Sequence, residues 1–268
     1  MYIKSENEIK LILEGGKILG QVLSKLSAML KPGVTGKQVD DEAERLILEA
    51  GGLPAFKNFH SGKNSPPFPA TVCFSINNEL VHGIPTVNKV IKTGDIVSLD
   101  IGMQYPANCG LGKKGNGFFT DTAVTVAVGK VPKETQKLLS ITKKALEIGI
   151  KKALVGKTIA DIGQTIQKFV EPKGYGVVRD LVGHGVGHDV HEDPRVPNYF
   201  DPALKQWRIE PGVVIAIEPM VTIGKHHIKV GPDGWTIVTA DNSLCGHFEH
   251  TIVVTNKGPV VATRRKNE

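Results

Sequence analysis

The sequence has little cysteine: a chain of 268 residues holds only Cys73, Cys109 and Cys245. The three are odd in number and far apart, and none forms the Cys-x-x-Cys spacing of a zinc or redox site. A disulfide framework or a thiolate metal site is therefore not indicated. We expect reduced thiols in a cytoplasmic protein.

The chain also lacks a long hydrophobic run. Nowhere do ~18 apolar residues follow one another, which is the length that a membrane-spanning helix needs. Residues 1–10 are polar and charged, and they do not show the short apolar run and small-residue cleavage site of a signal peptide. We expect a soluble protein that is neither exported nor bound to a membrane.

Acidic residues are fewer than basic ones, with 27 Asp and Glu against 33 Lys and Arg, which gives a formal net charge of +6. The lysines are spread along the chain, apart from the basic tail at 264–266, so a solvated surface is the favoured interpretation. This charge leaves open a weak contact with RNA, such as that of the ribosome. It gives no reason to expect DNA binding.

Length and patterning indicate one large α+β domain built from two similar halves. Helical periodicity follows a capping box at Ser5 and another at Thr35, and a long helix, a glycine turn and a capped shorter helix recur over 131–174. Strands are predicted after each helix pair, at 71–77, 95–102 and 118–128, and then at 177–182, 213–222, 235–239 and 249–255. We expect halves of about 1–128 and 129–268 that close on each other, with a site between them.

Four acids interrupt the apolar strands, namely Asp100, Asp121, Glu218 and Glu249. An unpaired buried carboxylate costs several kcal/mol, so each of them needs a cation, a proton or a hydrogen-bonding partner. For a single acid, pairing with Arg or Lys or capping of a turn explains the pattern equally well. For all four it does not, because none of the four strand segments contains Arg or Lys.

A histidine-rich stretch, GHGVGHDVHEDP, follows at 183–194. Three glycines in its first five residues indicate an extended or looped backbone. Grouped imidazoles are typical of metal binding or proton transfer, and a polar surface loop is the alternative. The four acids favour metal binding, because four carboxylates and a neutral histidine carry about four negative charges that two divalent ions ~3.5–4 Å apart would cancel. Mixed carboxylate and imidazole ligands suit Mn, Fe or Co, whereas a structural zinc would want thiolates.

The strings around these residues carry a resemblance. Asp100 lies in SLDIG, Asp121 in FTDTAVTVAVG, His184 in GHGVGHDVHEDPRVPNY, Glu218 in AIEPM and Glu249 in FEHTIVVTNKGPVV. Together with HGIP at 82–85 and DGWT at 233–236, they make nearly the whole chain resemble a type I methionine aminopeptidase. This resemblance implies the pita-bread fold, with two pseudo-symmetric α+β halves, antiparallel sheet and outer helices. It also implies one catalytic domain over 1–268, without the zinc-binding N-terminal extension of some members.

The resemblance implies two divalent metal ions and a role for each ligand. Asp100 would chelate one ion, Asp121 and Glu249 would bridge both, and His184 and Glu218 would complete the second. A water activated by the two ions would attack the carbonyl after the first residue, because the ions lower its pKa and polarise that carbonyl. Glu218 would also move the proton.

The resemblance further implies the residues that hold the substrate. His82 and His191 would donate hydrogen bonds to the substrate amide and to the oxyanion; the alternative for each is a polar core residue without a catalytic role. A methionine pocket would offer sulfur–aromatic contacts. Its predicted residues, which could equally be ordinary core, are Trp235, Cys73, Phe59 and Phe68.

The chain departs from the family pattern in two insertions and in several pocket positions. The first insertion, Tyr105–Gly117, is glycine-rich, and we expect it to be a surface tip of the hairpin that joins Asp100 to Asp121. The second, at 62–67, affects the register of the pocket aromatics. Phe56 replaces a small residue and Val190 an aromatic one, so we expect the two to share the methionine pocket with its volume roughly conserved.

The sequence therefore predicts an enzyme that removes the initiator methionine from the N-terminus of nascent polypeptides, that favours small second residues and that acts as a monomer. One alternative is an X-Pro aminopeptidase or prolidase on the same fold, although such enzymes usually carry a further N-terminal domain. Another is a catalytically inactive pita-bread module that binds RNA or protein. The presence of all five ligands disfavours that module.

Overall fold

The helices begin where the capping residues predict them. The structure is a computed structural model that describes residues 2–62, 65–266 and 268. Its helices are α1 (Glu6–Met29), α2 (Gly36–Glu49), α3 (Lys133–Lys152) and α4 (Ile159–Val170). Ser5, Thr35 and Thr158 each form a complete capping box. In each box the hydroxyl accepts a hydrogen bond from the backbone N–H three residues on, and the side chain of that residue accepts one from the backbone N–H of the capping residue. Among the described residues, none of the helices combines the length and the apolar character that crossing a bilayer requires.

Strands follow each helix pair. After α2 come β1 (Leu53–Pro54), β2 (Val72–Ile76), β3 (Glu79–Val81), β4 (Ile96–Tyr105), β5 (Leu111–Gly112) and β6 (Asn116–Ala127). After α4 come β7 (Gly176–Val177), β8 (Gly183–Gly185), β9 (Glu192–Val196), β10 (Val214–Ile217), β11 (Met220–Thr222), β12 (Ile228–Val230), β13 (Ile237–Thr239), β14 (Cys245–His247), β15 (His250–Thr255) and β16 (Gly258–Val261). Short 3-10 helices lie at Lys113–Gly115, Glu171–Lys173 and Pro202–Gln206.

Two five-stranded sheets dominate. The first has the order β1-β4-β6-β5, with β2 also paired to β4, and the second has the order β16-β15-β10-β8-β9. Two three-stranded sheets, β14-β11-β7 and β12-β13-β3, complete the structure. We call α1 to β6 the first run of elements and α3 to β16 the second. The sheet β12-β13-β3 joins β3 of the first run to β12 and β13 of the second, so the two runs share backbone hydrogen bonds.

Each helix pair covers one sheet. The α1 and α2 side packs on β2 and β4 through a buried cluster that includes Leu23, Ile47 and Leu99. The α3 and α4 side packs on β10 and β15 through a cluster that includes Ile162 and Ile252. Because the helices cover one face of each large sheet, the polar residues of the strands lie on the other face, between the two sheets.

Several strands differ from their predicted bounds. The strand expected over 177–182 is reduced to β7, and a separate strand, β8, begins at Gly183. Pro219 divides the stretch expected over 213–222 into β10 and β11, since proline lacks the N–H that a continuous ladder needs. The strands that were not predicted have two to five residues each, which is too short for a periodic pattern; they are β1, β3, β5, β9, β12, β14 and β16.

The two insertions have different outcomes. Tyr105–Gly117 forms the tip of the β4–β6 hairpin, as expected; six of its thirteen residues are exposed, six are half-buried and one, Gly117, is buried. It is not isolated, however, because the Lys113 ammonium lies 2.7 Å from the carboxylate of Asp189. The second insertion, at 62–67, includes residues 63 and 64, which lie outside the described residues. The three cysteines are free, with Cys73 and Cys245 buried.

Candidate metal and substrate site

A cavity of about 410 Å³ lies where strands from both runs of elements meet. One side of it is polar and holds all five predicted metal ligands, Asp100, Asp121, His184, Glu218 and Glu249. The other side is lined mainly by aromatic and aliphatic side chains. The acids that are scattered over 150 positions of sequence are therefore brought to a single cavity.

Strand register explains how the two aspartates meet. Asp100 on β4 lies opposite Ala123 on β6, and Asp121 lies opposite Gly102. Because alternate residues of a strand share a face, Asp100 and Asp121 point to the same side as diagonal neighbours. That face is turned away from α1 and α2 and towards the cavity.

The two glutamates meet through the other large sheet. Ile217, the last residue of β10, lies opposite His250, the first residue of β15. The residues just beyond this pair, Glu218 and Glu249, therefore face each other at the end of the ladder. The Glu249 N–H donates to the carbonyl of Ala123 at 3.0 Å, which attaches this glutamate to the aspartate strand β6.

Oxygen and nitrogen atoms of these side chains form three overlapping groups whose members lie within 4.8 Å of one another. The groups are Asp100 with Asp121 and Glu249, His184 with Glu218 and Glu249, and Asp121 with His184 and His191. Glu249 belongs to the first two groups and Asp121 to the first and third. The third group was not foreseen, since His191 was expected to bind substrate only.

His184 is oriented by its own neighbour. Its Nδ1 lies 2.9 Å from the carbonyl of Gly185, which makes Nδ1 the protonated nitrogen and leaves Nε2 as the acceptor. Nε2 lies 3.5 Å from Glu218 Oε1 and 3.8 Å from Asp121 Oδ2. Burial, together with the nearby His191, lowers the pKa of His184 to about 3, so the imidazole is neutral and able to coordinate a metal.

The carboxylates repel one another in a dry environment. Burial raises the pKa of Asp100 to about 6 and that of Glu218 to about 8. For Asp121 and Glu249, burial and then the neighbouring carboxylates raise the pKa well above its usual range. Asp100 Oδ1, Asp121 Oδ1 and Glu249 Oε1 are buried and have no hydrogen-bonding partner within the part of the chain that the structure describes. Such a donor set fits divalent cations, which would supply the missing partners and cancel the charge.

Arg265 does not neutralise this cluster, although it is buried close by. Its Nη1 donates to the Thr122 hydroxyl at 2.9 Å and to the Ala123 carbonyl at 3.1 Å. A longer contact of 3.5 Å reaches the backbone carbonyl of Glu249. The guanidinium thus binds the backbone beside two acids and leaves their carboxylates free.

His82 and His191 line the same cavity. His82 has a φ of 56°, a left-handed conformation that is uncommon outside glycine, and its ring faces Trp235 with the centroids 6.2 Å apart. The His191 ring makes edge contacts with His184 at 4.4 Å and with Phe59 at 5.2 Å. By contrast, His188 turns to α1, where its Nε2 lies 2.7 Å from a Glu8 carboxylate oxygen.

The apolar side contains all four predicted pocket residues, Phe59, Phe68, Cys73 and Trp235. The rings of Phe68 and Trp235 meet edge to face with centroids 5.3 Å apart. Phe56 also lines the cavity, but Val190 does not. Val190 is instead buried in an apolar cluster that also includes Phe56, so the expectation that both residues line the methionine pocket was wrong for Val190.

Sequence reasoning missed several residues. Leu181, Val182 and Met220 line the cavity next to His184 and Glu218, and their positions beside those ligands are the only signal that could have identified them. His247 was also missed. It is buried, and its Nε2 lies 3.5 Å from Glu218 Oε2.

Comparison with known families identifies this arrangement. Residues 10–256 match the profile of metallopeptidase family M24. The chain belongs to this family. As a member of M24 it is a metal-dependent hydrolase, and divalent metal ions are implied for its carboxylate and histidine cluster.

Relatives of this M24 chain match it over almost their whole length. Methionine aminopeptidase from Clostridium acetobutylicum is 41% identical over 97% of this chain and 98% of the relative. Methionine aminopeptidase 1 from Bacillus subtilis is 41% identical with the same coverage. The crystal structure of methionine aminopeptidase from Thermotoga maritima superposes with a TM-score of 0.89 at 37% identity, over 99% of this chain and 100% of that one.

The pita-bread fold predicted from the sequence is confirmed by these neighbours. The prolidase from Pyrococcus horikoshii shares it, with a TM-score of 0.76 at 24% identity. This M24 chain covers only 64% of that prolidase, compared with the whole of the Thermotoga enzyme. The prolidase likeness is therefore evidence of the fold alone.

Proposed function

We propose that this M24 enzyme removes the N-terminal methionine from nascent polypeptides. The observation that carries the proposal is the cavity itself, in which a carboxylate and histidine cluster and an apolar pocket share about 410 Å³. A peptide that inserts an unbranched apolar first side chain into that pocket would bring its first peptide bond to the ligand cluster. Relatives at 41% identity that are named methionine aminopeptidases support the same choice of substrate.

Two divalent ions, of Co, Mn or Fe, are proposed as cofactors. Asp100 would hold one ion, His184 and Glu218 the other, and Asp121 and Glu249 would bridge them, which agrees with their membership of overlapping ligand groups. When bound, such ions polarise a carbonyl oxygen and lower the pKa of water. The mixed oxygen and nitrogen donors favour these metals over Ca or Mg.

Side chains around the cluster would carry out the remaining steps. Glu218 would accept a proton from the attacking water on its carboxylate and return it to the leaving amine. His191 at the mouth of the cavity would donate to the developing oxyanion, and His82 would donate to the substrate amide. Both imidazoles line the same cavity as the ligand cluster, which supports these two roles.

The pocket accounts for methionine. Phe59, Phe68 and Trp235 present aromatic rings, and the buried thiol of Cys73 adds a polarizable contact, so a thioether would gain sulfur–aromatic contacts there. We further propose that small second residues are preferred. The whole chain, 1–268, would act as one catalytic domain with halves near 1–128 and 129–268. It would work as a cytoplasmic monomer with at most weak ribosome contact.

Peptide hydrolysis tests this proposal. Met-Ala-Ser, Met-Leu-Ser and an Ala-Pro peptide are incubated with the enzyme under anaerobic Mn, Fe or Co. We expect rapid release of methionine from Met-Ala-Ser, slower release from Met-Leu-Ser and no cleavage of the Ala-Pro peptide. Preferential cleavage of Ala-Pro would identify an X-Pro aminopeptidase or prolidase instead. Absence of turnover with every metal would identify an inactive binding module.

A further inference from the structure

His247 is a buried histidine that the proposed reaction does not use. It ends β14, only 1% of its surface is exposed, and neither ring nitrogen has a hydrogen-bonding partner among the described residues. A buried polar group without a partner is costly, because it gives up its hydrogen bonds to water and gains none in return. Over residues 2–62, 65–266 and 268, the His247 ring makes no hydrogen bond that stabilises the fold, so its burial needs another explanation.

The backbone of His247 is held firmly on both sides. Its N–H donates to the Thr125 hydroxyl at 2.8 Å, and its carbonyl accepts from the same hydroxyl at 2.9 Å. In the β11–β14 ladder His247 also lies opposite Met220, and Met220 is two residues after Glu218 in the chain. The ring is consequently fixed beside Glu218 by strands that do not depend on the ring itself.

The ring lies behind the carboxylates. Its Nε2 is 3.5 Å from Glu218 Oε2, while the other oxygen of the same carboxylate is 3.5 Å from His184 Nε2. Glu218 is thus flanked by one imidazole on each oxygen.

His247 is poorly placed to be a ligand. Within the described residues, none of the three ligand groups includes it, and it does not line the cavity. Among the described residues, its contact with the cluster runs from Nε2 to Glu218 Oε2. A small shift would shorten the Nε2 contact to Glu218 Oε2 into a normal hydrogen bond, which leaves Oε1 as the oxygen that faces His184 and the cavity.

We propose that His247 is a positioning residue that donates a hydrogen bond from Nε2 to Glu218 and fixes the carboxylate orientation that binds one of the two ions. This inference rests on the proposed role of Glu218 as a ligand. Partners behind metal ligands typically change metal affinity by about 10–100-fold when they are removed. His247 would therefore affect metal binding more than the stability of the metal-free fold.

Three substitutions separate a positioning role from packing. Glutamine at 247 places an amide N–H near the position of Nε2, whereas asparagine places it near Nδ1, out of reach of Glu218. Methionine fills similar volume without a donor. The matched control is His250→Gln, because the ring nitrogens of His250 contact Thr263 and Glu268 and His250 belongs to none of the three ligand groups.

The measurement is calorimetric titration of metal-free protein with Co(II), together with the visible absorption of bound Co(II) and the Tm of the metal-free form. We expect His247→Asn and His247→Met to lower the affinity for one of the two Co(II) ions by about 10–100-fold and to alter the absorption spectrum of that ion. His247→Gln and His250→Gln should stay within a few-fold of wild type. The metal-free Tm of His247→Met should equal or exceed that of wild type, because an unpartnered imidazole is removed.

Two results would overturn the inference. Wild-type affinity for Co(II) in His247→Asn would show that the donor at Nε2 is unnecessary, and this variant keeps the test valid even where His247→Met does not fold. Equal losses in His247→Gln and His247→Asn would show that the imidazole acts as a ligand or as packing. Failure of the wild-type protein to bind Co(II) would instead contradict the proposed metal site, so the two ideas fail separately.

Discussion

His191 has two competing roles at the scale of a single residue. It lines the cavity in which a donor to the oxyanion is proposed, but a ring nitrogen is also within 4.8 Å of ligand atoms of Asp121 and His184. The five proposed ligands already provide a complete donor set for two ions. We therefore assign His191 to the substrate and not to the metal.

Replacement of His191 by alanine tests this assignment. Because single oxyanion donors contribute roughly 10²-fold or more, kcat for Met-Ala-Ser should fall by about that factor while both metal ions stay bound. Metal content is measured alongside turnover. Loss of metal would make His191 a ligand. His188→Ala is the control, since His188 contacts Glu8 and should lose far less activity.

Val190 and Phe56 form a second residue-scale test. Both belong to the same buried apolar cluster, but only Phe56 reaches the cavity surface. Val190→Phe should therefore overpack the core and lower the free energy of unfolding by about 1–3 kcal/mol, with little change in KM. Phe56→Ala in the same chain should restore part of the loss, with a coupling of about 0.5–3 kcal/mol. Additive effects in denaturant unfolding would show that the two side chains do not share space.

Local sequence patterns predicted most of the proposed site residues but not all of them. Asp100, Asp121, Glu218 and Glu249 could be identified because a charged residue within an apolar strand is costly and needs an explanation. His247 could not, because it follows Gly246 in a three-residue strand without a periodic pattern, and its meaning depends on how close it lies to Glu218. Val190 was misassigned because sequence neighbours of His191 need not face the same side.

At the scale of elements, the hairpin of β4 and β6 carries both aspartates and ends in the tip over residues 105–117. Inside the hairpin, ten residue pairs hold the register. At the base of the tip, the Ala107 N–H donates to the Gly51 carbonyl at 2.8 Å and the Tyr105 hydroxyl donates to Glu14 at 3.0 Å. Over residues 108–115, the link to the rest of the chain is the ion pair of Lys113 with Asp189, whose side chains are both about half exposed. Exposed pairs of this kind contribute only ~0.2–1 kcal/mol.

Shortening the tip between residues 108 and 115 should consequently leave the fold intact. The Tm should fall by no more than about 4 °C, because ~1 kcal/mol corresponds to ~2–4 °C in a protein near this size. Met-Ala-Ser hydrolysis should be nearly unchanged. Asp189→Asn removes the same ion pair from the other side and is the matched control. A fall of many degrees in the shortened chain alone would show that the tip packs against the body.

Helix boundaries were predictable and short strands were not, for a physical reason. The capping boxes at Ser5, Thr35 and Thr158 are local and use residues three positions apart, so the sequence alone specifies them. The strands β3 and β14 form through partners far away in the chain. Their pairing depends on tertiary contacts, which a local pattern does not contain.

At the scale of the whole molecule, hydrogen bonds join the aspartate strand to the glutamate strand. The Thr122 hydroxyl donates to the carbonyl of Glu249 at 2.9 Å, and the Asp121 N–H donates to the Thr251 hydroxyl at 2.9 Å. Arg265 donates to Thr122 and Ala123 on the aspartate strand and makes a longer contact of 3.5 Å with the carbonyl of Glu249. These contacts hold mutually repelling carboxylates together, so the fold carries an electrostatic cost that cations would relieve.

Metal should therefore raise the stability of the folded protein. A ligand that binds only the folded state and is present at 100 times its Kd adds ~2.7 kcal/mol to the free energy of unfolding. This gain corresponds to a rise of roughly 5–10 °C in Tm. Thermal unfolding with chelator and with Mn(II) or Co(II) measures the difference. Mg(II) at the same ionic strength is the control. An unchanged Tm with Mn(II) and Co(II) would show that the cluster does not bind these ions.

The central claim is that the first run of elements supplies one bridging carboxylate, Asp121, and the second supplies the other, Glu249. Metal content and turnover of Met-Ala-Ser, measured together for Asp121→Ala and Glu249→Ala, test it most directly. Each variant removes a ligand from both ions, so activity should fall by orders of magnitude and bound metal should decrease in both. Turnover at the wild-type rate with a full complement of metal in either variant would contradict the account.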